Sequence, residues 1–416
     1  MIHIVKAHFV AGHSAFYFDD QKAIKSGAQH DGFVYGGAPQ TPGFSNVRQR
    51  GECVSVLLEL SNGAIAMGDC AAVQYSGAAG RDPLFVAENF LPFLETEIAP
   101  LLLECDPALF RKNATYFDTL LIDGKPLHTA IRYGLSQALL HAAALAKGKL
   151  KTEIVCEAYD LPVDTRPLAL FGQSGDERYS AVDKMILRGV AALPHGLINS
   201  VDSKLGRNGE KLLDYMAWLR DRIIALRTDE AYTPKIHIDV YGTIGMAFDN
   251  DAGRIADYLC SLEQVAAPFD LYIEGPVDAG SKPAQIALLT QIKEALETRE
   301  SAVRIVADEW CNTFRDVVDF VDARCCHMVQ IKTPDLGSIH NTIEAVLHCK
   351  VGGIEAYQGG TSNETDVSAR CCMHVAQAVH PDRVLVKPGM GFDEAMCIVS
   401  NEMARTIAIL STRGTR

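Results

Sequence analysis

The chain has 416 residues, a formal net charge of −13 and 48% hydrophobic residues. That acidity argues against nucleic acid or an anionic membrane surface as a partner, since both select basic patches. The length and apolar content suit one large domain plus a smaller one.

The N-terminus, MIHIVKAHFVAG, reads as a first strand rather than a signal peptide, because it lacks a long apolar core. No run approaches the ~20 apolar residues of a membrane span. The twelve cysteines include no CxxC pair, so a zinc-finger or redox motif is not expected. Reduced, buried thiols in a cytoplasmic protein are the reading.

The polar, Gly-containing stretch FYFDDQKAIKSGAQHDGFVYGG is expected to be a long loop that orders around a ligand. GECVSVLLELSNGAIAMGDCAAVQYSG reads as a hairpin turning at Ser61-Asn62-Gly63. DPLFVAENFLPFLETEIAPLLL and LHTAIRYGLSQALLHAAALAKG read as helices, the second stopped by Gly148. Strands followed by helices predict an α+β domain over residues 1–165.

From Pro167 the pattern changes. Eight short apolar runs follow, mostly separated by helical segments: LALFGQSG, HGLINSV, KIHIDVYG, LYIEGPV, VRIVADEW, MVQIKTP, IEAYQGG and RVLVKPGMG. KLLDYMAWLRDRIIALR and QIALLTQIKEALETR keep apolar positions near a 3.6 period, and DEAMCIVSNEMARTIAIL closes the series. Eight βα units predict an α/β fold, a (β/α)8 TIM-type barrel over residues 166–416 capped by the N-terminal domain. A doubly wound sheet is the other fold such alternation permits. The barrel is preferred because polar residues end the runs all the way round.

Asp239, Glu274 and Asp308 end consecutive runs, spaced 35 and 34 residues apart, and Lys332 ends the next. One acid at a strand end can simply cap the following helix. Three in register, then a lysine, put three oxygen ligands and a base on the catalytic rim of a barrel, a set that suits Mg²⁺. Lys332 could also be a Schiff-base nucleophile, but that chemistry needs no carboxylate triad. His195, taken to begin the second run, becomes a candidate second acid/base on the other face of a substrate. Gln173, Gln330 and Thr361 are neutral hydrogen-bonding residues at strand ends, suited to recognising carboxylates. No P-loop, GxSxG elbow, HExxH or dinucleotide fingerprint is present.

A proton next to a carboxylate is only weakly acidic. Its removal leaves an enolate, which a metal on that carboxylate stabilises. The enolate can expel a β-leaving group, as in a lyase, or be reprotonated, as in an epimerase.

FYFDDQ, HDGF, GDCAAVQYSGAAGRDPLF, LHTAIRYG, KIHIDVYGTIG, IEGP, VADEWCNT, HMVQIKTPDLG, GGTSNET and VKPGMG together resemble the methylaspartate ammonia-lyase family of the enolase superfamily, over nearly the whole chain. The resemblance implies reversible anti elimination of ammonia from (2S,3S)-3-methylaspartate to mesaconate, with Asp239, Glu274 and Asp308 on Mg²⁺. It implies Lys332 as the base for the threo substrate and His195 as acid/base for the other C3 epimer. Gln173, Gln330 and Thr361 would contact the substrate carboxylates, and Gln74 the amino side. Tyr357 and Leu385 would shape the pocket around the amine and methyl group. It further implies K⁺ as a monovalent cofactor, a homodimer and a role in glutamate degradation. Ser362 departs from the cysteine expected there, which leaves side-chain preference open. Rival readings are an epimerase or dehydratase of the same superfamily and a non-catalytic barrel that binds a dicarboxylate.

Overall fold

The computed structural model describes residues 2–78, 80–175, 177–387, 389 and 391–413. Pro388 and Met390 of the last expected strand, like Ala79 and Asp176, lie outside the described residues. Three antiparallel strands, β1 (Ile4–Asp19), β2 (Arg48–Leu60) and β3 (Ile65–Ala71), form a sheet in chain order. On β2, Val54, Val56, Leu58 and Leu60 are fully buried, while Ser55, Leu57 and Glu59 between them are half-buried. This is the period-2 signature of a sheet with one covered face.

The covering element is the helix Thr129–Lys147, which ends at Gly148 in the left-handed conformation, φ +63°, as its sequence predicts. Helix and sheet approach at backbone distance. A Cβ on Gly68 would lie 2.3 Å from the Gly134 carbonyl oxygen, and one on Gly134 would lie 2.5 Å from the Cys70 nitrogen.

Three N-terminal expectations need correction. β1 extends through FYFD to Asp19, because Tyr17, Phe18 and Asp19 pair with Arg50, Gln49 and Arg48. The segment after it is not all loop: it holds the helix Gln21–Lys25 and a small hairpin, His30–Asp31 with Val34–Tyr35. The helical run expected from Asp82 starts at Ala87 and contains Pro92, after which Leu94–Ile98 is a π-helical stretch. Proline removes a ladder hydrogen bond, and the regular α-helix ends just after it. The helices Phe110–Thr119 and Lys151–Tyr159 also form, without having been singled out in the sequence.

The eight expected barrel strands all form, and the doubly wound sheet does not. They are β4 (Leu170–Phe171), β5 (Ala192–Leu197), β6 (Lys235–Asp239), β7 (Leu271–Glu274), β8 (Arg304–Ala307), β9 (Met328–Ile331), β10 (Glu355–Gln358) and β11 (Arg383–Leu385). They are parallel and close in the order β6-β7-β8-β9-β10-β11-β4-β5. Phe171, Ala192, Tyr272, Val306, Met328, Tyr357 and Leu385 pack as one buried cluster on this sheet. Helices cover the outside through regularly spaced apolar residues, for example Leu212, Tyr215, Met216, Leu219 and Ile223 on Glu210–Leu226.

His195 is not the first residue of its strand. β5 begins at Ala192, and its pairing with β6 skips His195: Pro194 faces His237 and Gly196 faces Ile238. The skip is a β-bulge, with His195 at φ +51°.

The capping sheet meets the barrel at the loop GGTSNET. Ala15 donates its N–H to the Glu364 carbonyl at 3.1 Å, Asn363 Nδ2 donates to the Tyr17 carbonyl at 3.1 Å, and Thr365 Oγ1 donates to Asp69 at 2.5 Å.

Candidate active site

β6 and β7 end on Asp239 and Glu274, which are register partners, so the two acids stand side by side. Asp308 and Lys332 each follow directly after their strands, β8 and β9. All four stand at the C-terminal end of the barrel strands and are at least nine-tenths buried. Asp239, Asp308, Lys332 and His195 line a pocket of about 90 Å³. Gln173, Gln330, Thr361, Ser362 and Leu385 also line its barrel side, with Tyr241, Glu309, Asp335 and Gly360, and Gln74 reaches it from the capping domain.

Two of the expected residues lie one layer deeper. Glu274 is fully buried beneath the pocket, and Tyr357 packs beside it. The Tyr357 hydroxyl donates to Glu274 Oε1 at 2.7 Å, so it braces an acid rather than forming a pocket wall. The other oxygen is 2.7 Å from His237 Nε2. Arg383 lies 3.0 Å from His237 Nδ1, and arginine can only donate. Nδ1 is therefore the acceptor, and Nε2–H donates to Glu274. His237, lowered to about 4 chiefly by burial, is neutral and fits this tautomer.

Burial and the charges of Glu274 and Asp308 hold the Asp239 carboxyl well above the usual carboxylate range. Asp308 is pushed up to about 6, by burial first; Lys332 draws it down, while Glu309 and Glu274 push it up. Burial would also raise Glu274, but His195 and His237 outweigh it and hold it well below the usual range. A divalent cation bound among these carboxylates would relieve that mutual repulsion. His195 adds to the strain: it occupies a backbone region that costs ~1–3 kcal/mol, and neither ring nitrogen has a hydrogen-bond partner. Its Nε2 stands 3.5 Å from Glu274 Oε2.

Donor atoms of His195, Asp239 and Glu274 gather within 4.8 Å of one another. Asp308 instead turns to Lys332, with Nζ to Oδ1 at 2.8 Å. A buried oxygen-rich set with room for further ligands fits Mg²⁺.

Lys332 Nζ also donates to the Asp308 carbonyl at 2.9 Å and to Asn312 Oδ1 at 2.8 Å, and it lies 3.5 Å from Glu309 Oε2. Burial favours its neutral amine, but Asp308 and Glu309 outweigh this and hold it as ammonium. Around the closed barrel β9 is the fourth strand from β5 in either direction, so Lys332 and His195 enter the pocket from opposite walls.

The sequence reading did not single out Glu309, Asn312, His237, Arg81 or Asp19. Glu309 and Asn312 follow Asp308 within ADEWCN, and that adjacency was the available signal. Asp19 is invisible locally: it accepts from Gln74 Nε2 at 2.7 Å and is gripped by Arg48 at 2.7 and 2.8 Å.

Two family models match the chain, methylaspartate ammonia-lyase N-terminus over residues 2–160 and methylaspartate ammonia-lyase C-terminus over residues 162–412. The chain belongs to the methylaspartate ammonia-lyase family. It is therefore a carbon–nitrogen lyase of the enolase-like barrel type. It is 64% identical to the methylaspartate ammonia-lyase of Citrobacter amalonaticus over 99% of both chains, and 50% identical to that of Clostridium tetanomorphum, again over 99% of both. The Citrobacter amalonaticus enzyme containing (2S,3S)-3-methylaspartic acid superposes with TM-score 0.97, covering 98% of this chain and 100% of that one. The Mg complex of Clostridium tetanomorphum β-methylaspartase superposes with TM-score 0.95 at 50% identity, covering 99% and 100%. Muconate cycloisomerase from Pseudomonas fluorescens, at 16% identity, TM-score 0.56 and about 80% coverage of each chain, shares the fold alone.

Proposed function

We propose that the chain catalyses the reversible anti elimination of ammonia from (2S,3S)-3-methylaspartate to mesaconate, with the barrel (166–416) as catalytic unit and residues 1–165 as its cap. The observation that carries the assignment of roles is the placement of Lys332 and His195 on opposite walls, above buried carboxylates. A planar alkene forms from a substrate whose C3 proton can face either wall. Lys332 takes that proton from the threo epimer, and His195 takes it from the erythro one. The C3–H electron pair becomes the C2=C3 double bond, and the C2–N pair leaves with the nitrogen as ammonia.

Asp239, Glu274 and Asp308 would hold Mg²⁺, whose positive charge, when bound, stabilises the anionic charge developing on the adjacent substrate carboxylate. Lys332 must be neutral to act. Withdrawing Asp308 from its 2.8 Å contact removes the largest carboxylate influence favouring the ammonium. Gln173, Gln330, Thr361 and Ser362 hold the carboxylates, and Leu385 packs against the methyl group. Gln74, its Nε2 engaged by Asp19, presents its carbonyl oxygen to the amine.

K⁺ as a second cation, a homodimer, a cytoplasmic location and a place in glutamate degradation complete the proposal. Twelve unpaired cysteines support the reducing compartment. Among the described residues no helix is long and apolar enough to cross a membrane.

Lys332→Ala should abolish turnover of the threo epimer, followed by the ultraviolet absorbance of the conjugated diacid, while calorimetry still detects Mg²⁺ binding. His195→Ala should impair the erythro epimer far more than the threo one. Undiminished threo turnover without Lys332 would overturn the assignment.

A further inference from the structure

Arg81 belongs to the capping domain, in the loop after β3, yet its side chain is 9% exposed and lines the barrel pocket. Its guanidinium has three partners across the domain boundary. Nε donates to Asp335 Oδ1 at 2.9 Å, and Nη2 donates to Glu309 Oε1 at 3.2 Å and to Asn312 Oδ1 at 3.3 Å. Glu309 and Asn312 are also two of the groups around Lys332 Nζ. Asp335 stands on the turn that Lys332 opens, where the Leu336 N–H donates back to the Lys332 carbonyl at 3.1 Å. Arg81 thus grips both the backbone turn behind the lysine and the two side chains in front of it. A rigid, forked cation can hold three acceptors in fixed relation, which a lysine cannot.

We propose that Arg81 is a positioning residue for Lys332: the capping domain sets the aim of the catalytic amine through the Arg81–Asp335–Glu309–Asn312 bracket. The inference rests on Lys332 being the base for one face of the substrate. It makes that dependence one-sided, because the bracket closes around Lys332 and includes neither His195 nor Glu274, the acid 3.5 Å from His195 Nε2.

The test compares Arg81→Gln and Arg81→Lys on the threo and erythro epimers, with Lys332→Ala as the reference. Misplacing a catalytic group by about 1 Å costs on the order of 100-fold. The expected result is a threo kcat reduced by about that factor with KM little changed, and a C3 deuterium isotope effect that becomes larger as proton transfer limits turnover. Erythro turnover should stay near wild type. Arg81→Lys should recover part of the loss, because it keeps one ion pair. Asp335→Asn, which leaves Arg81 in place, guards against a folding defect in the arginine variants and should show the same threo-selective loss. Equal loss on both epimers would make Arg81 a general interdomain clamp and overturn the proposal. So would a raised KM at unchanged kcat, which would make Arg81 a substrate-binding group. Full threo turnover in Lys332→Ala would overturn the base assignment and this inference together, whereas its loss alongside an epimer-blind Arg81 effect would overturn this inference alone.

Discussion

Glu274 shows how much a single buried side chain depends on what lies behind it. Each of its oxygens receives one hydrogen bond, from Tyr357 and from His237, which leaves the remaining lone pairs to the site. Groups that orient metal-ligating residues typically contribute 10- to 100-fold in affinity. Tyr357→Phe should therefore weaken Mg²⁺ binding by about tenfold, read by calorimetry, with the barrel still folded because the ring and its packing remain. Unchanged affinity would mean that His237 alone fixes the carboxylate. The sequence named Glu274 and Tyr357 but could not show that they touch, since 83 residues separate them. His237 gave no signal at all: within KIHIDVYG it reads as one more strand residue.

Elements were legible where periodicity is local. The helix Thr129–Lys147 and its glycine stop follow from composition alone. The segment after β1 was less legible, because a buried carboxylate, Asp20, organises it. Asp20 caps the helix Gln21–Lys25 through the Ala23 N–H at 3.2 Å and accepts from the Thr41 N–H at 2.8 Å and Thr41 Oγ1 at 2.6 Å. Burial alone would raise its carboxyl, but hydrogen bonds from Thr41, Gln40 and Ala23 outweigh it and the pKa is lowered. A lowered folded-state pKa gives stability that is complete above the unfolded value of about 4 and fades as pH falls through the folded one. Cleavage of the segment between Asp20 and Val47 by an acid-active protease should therefore accelerate, relative to a denatured control, as pH drops below about 4. Asp20→Asn, which does not titrate, should lose this dependence; if the wild type shows none either, the cap does not hold the segment.

At the scale of the molecule, metal and fold should be separable. Asp239 and Glu274 sit on strands paired on both sides to mostly buried neighbours within a closed barrel, so the architecture does not hang on a cation. EDTA should abolish ammonia release, and added Mg²⁺ should restore it, with the far-ultraviolet circular dichroism unchanged throughout. Loss of the dichroism with EDTA would instead make the metal a structural staple. The buried charge is tolerated on folding: three carboxylates close together resist one another, and burial with the neighbouring carboxylates raises Asp239 well above the usual carboxylate range and Asp308 to about 6.

The sequence by itself determined the barrel and the order of acids and lysine around its rim. Both are written in spacings of one βα unit, and a parallel barrel turns such spacings into neighbouring positions. It also carried enough motif to imply the family. Only the tertiary structure decided that His195 rides a bulge inside its strand, that Tyr357 stands behind Glu274, that Asp308 rests on Lys332, and that Arg81 crosses from the cap to bracket the lysine. Each of these joins residues from different strands or domains. Register, barrel closure and domain docking bring such residues together, and no local pattern in the chain encodes those distances.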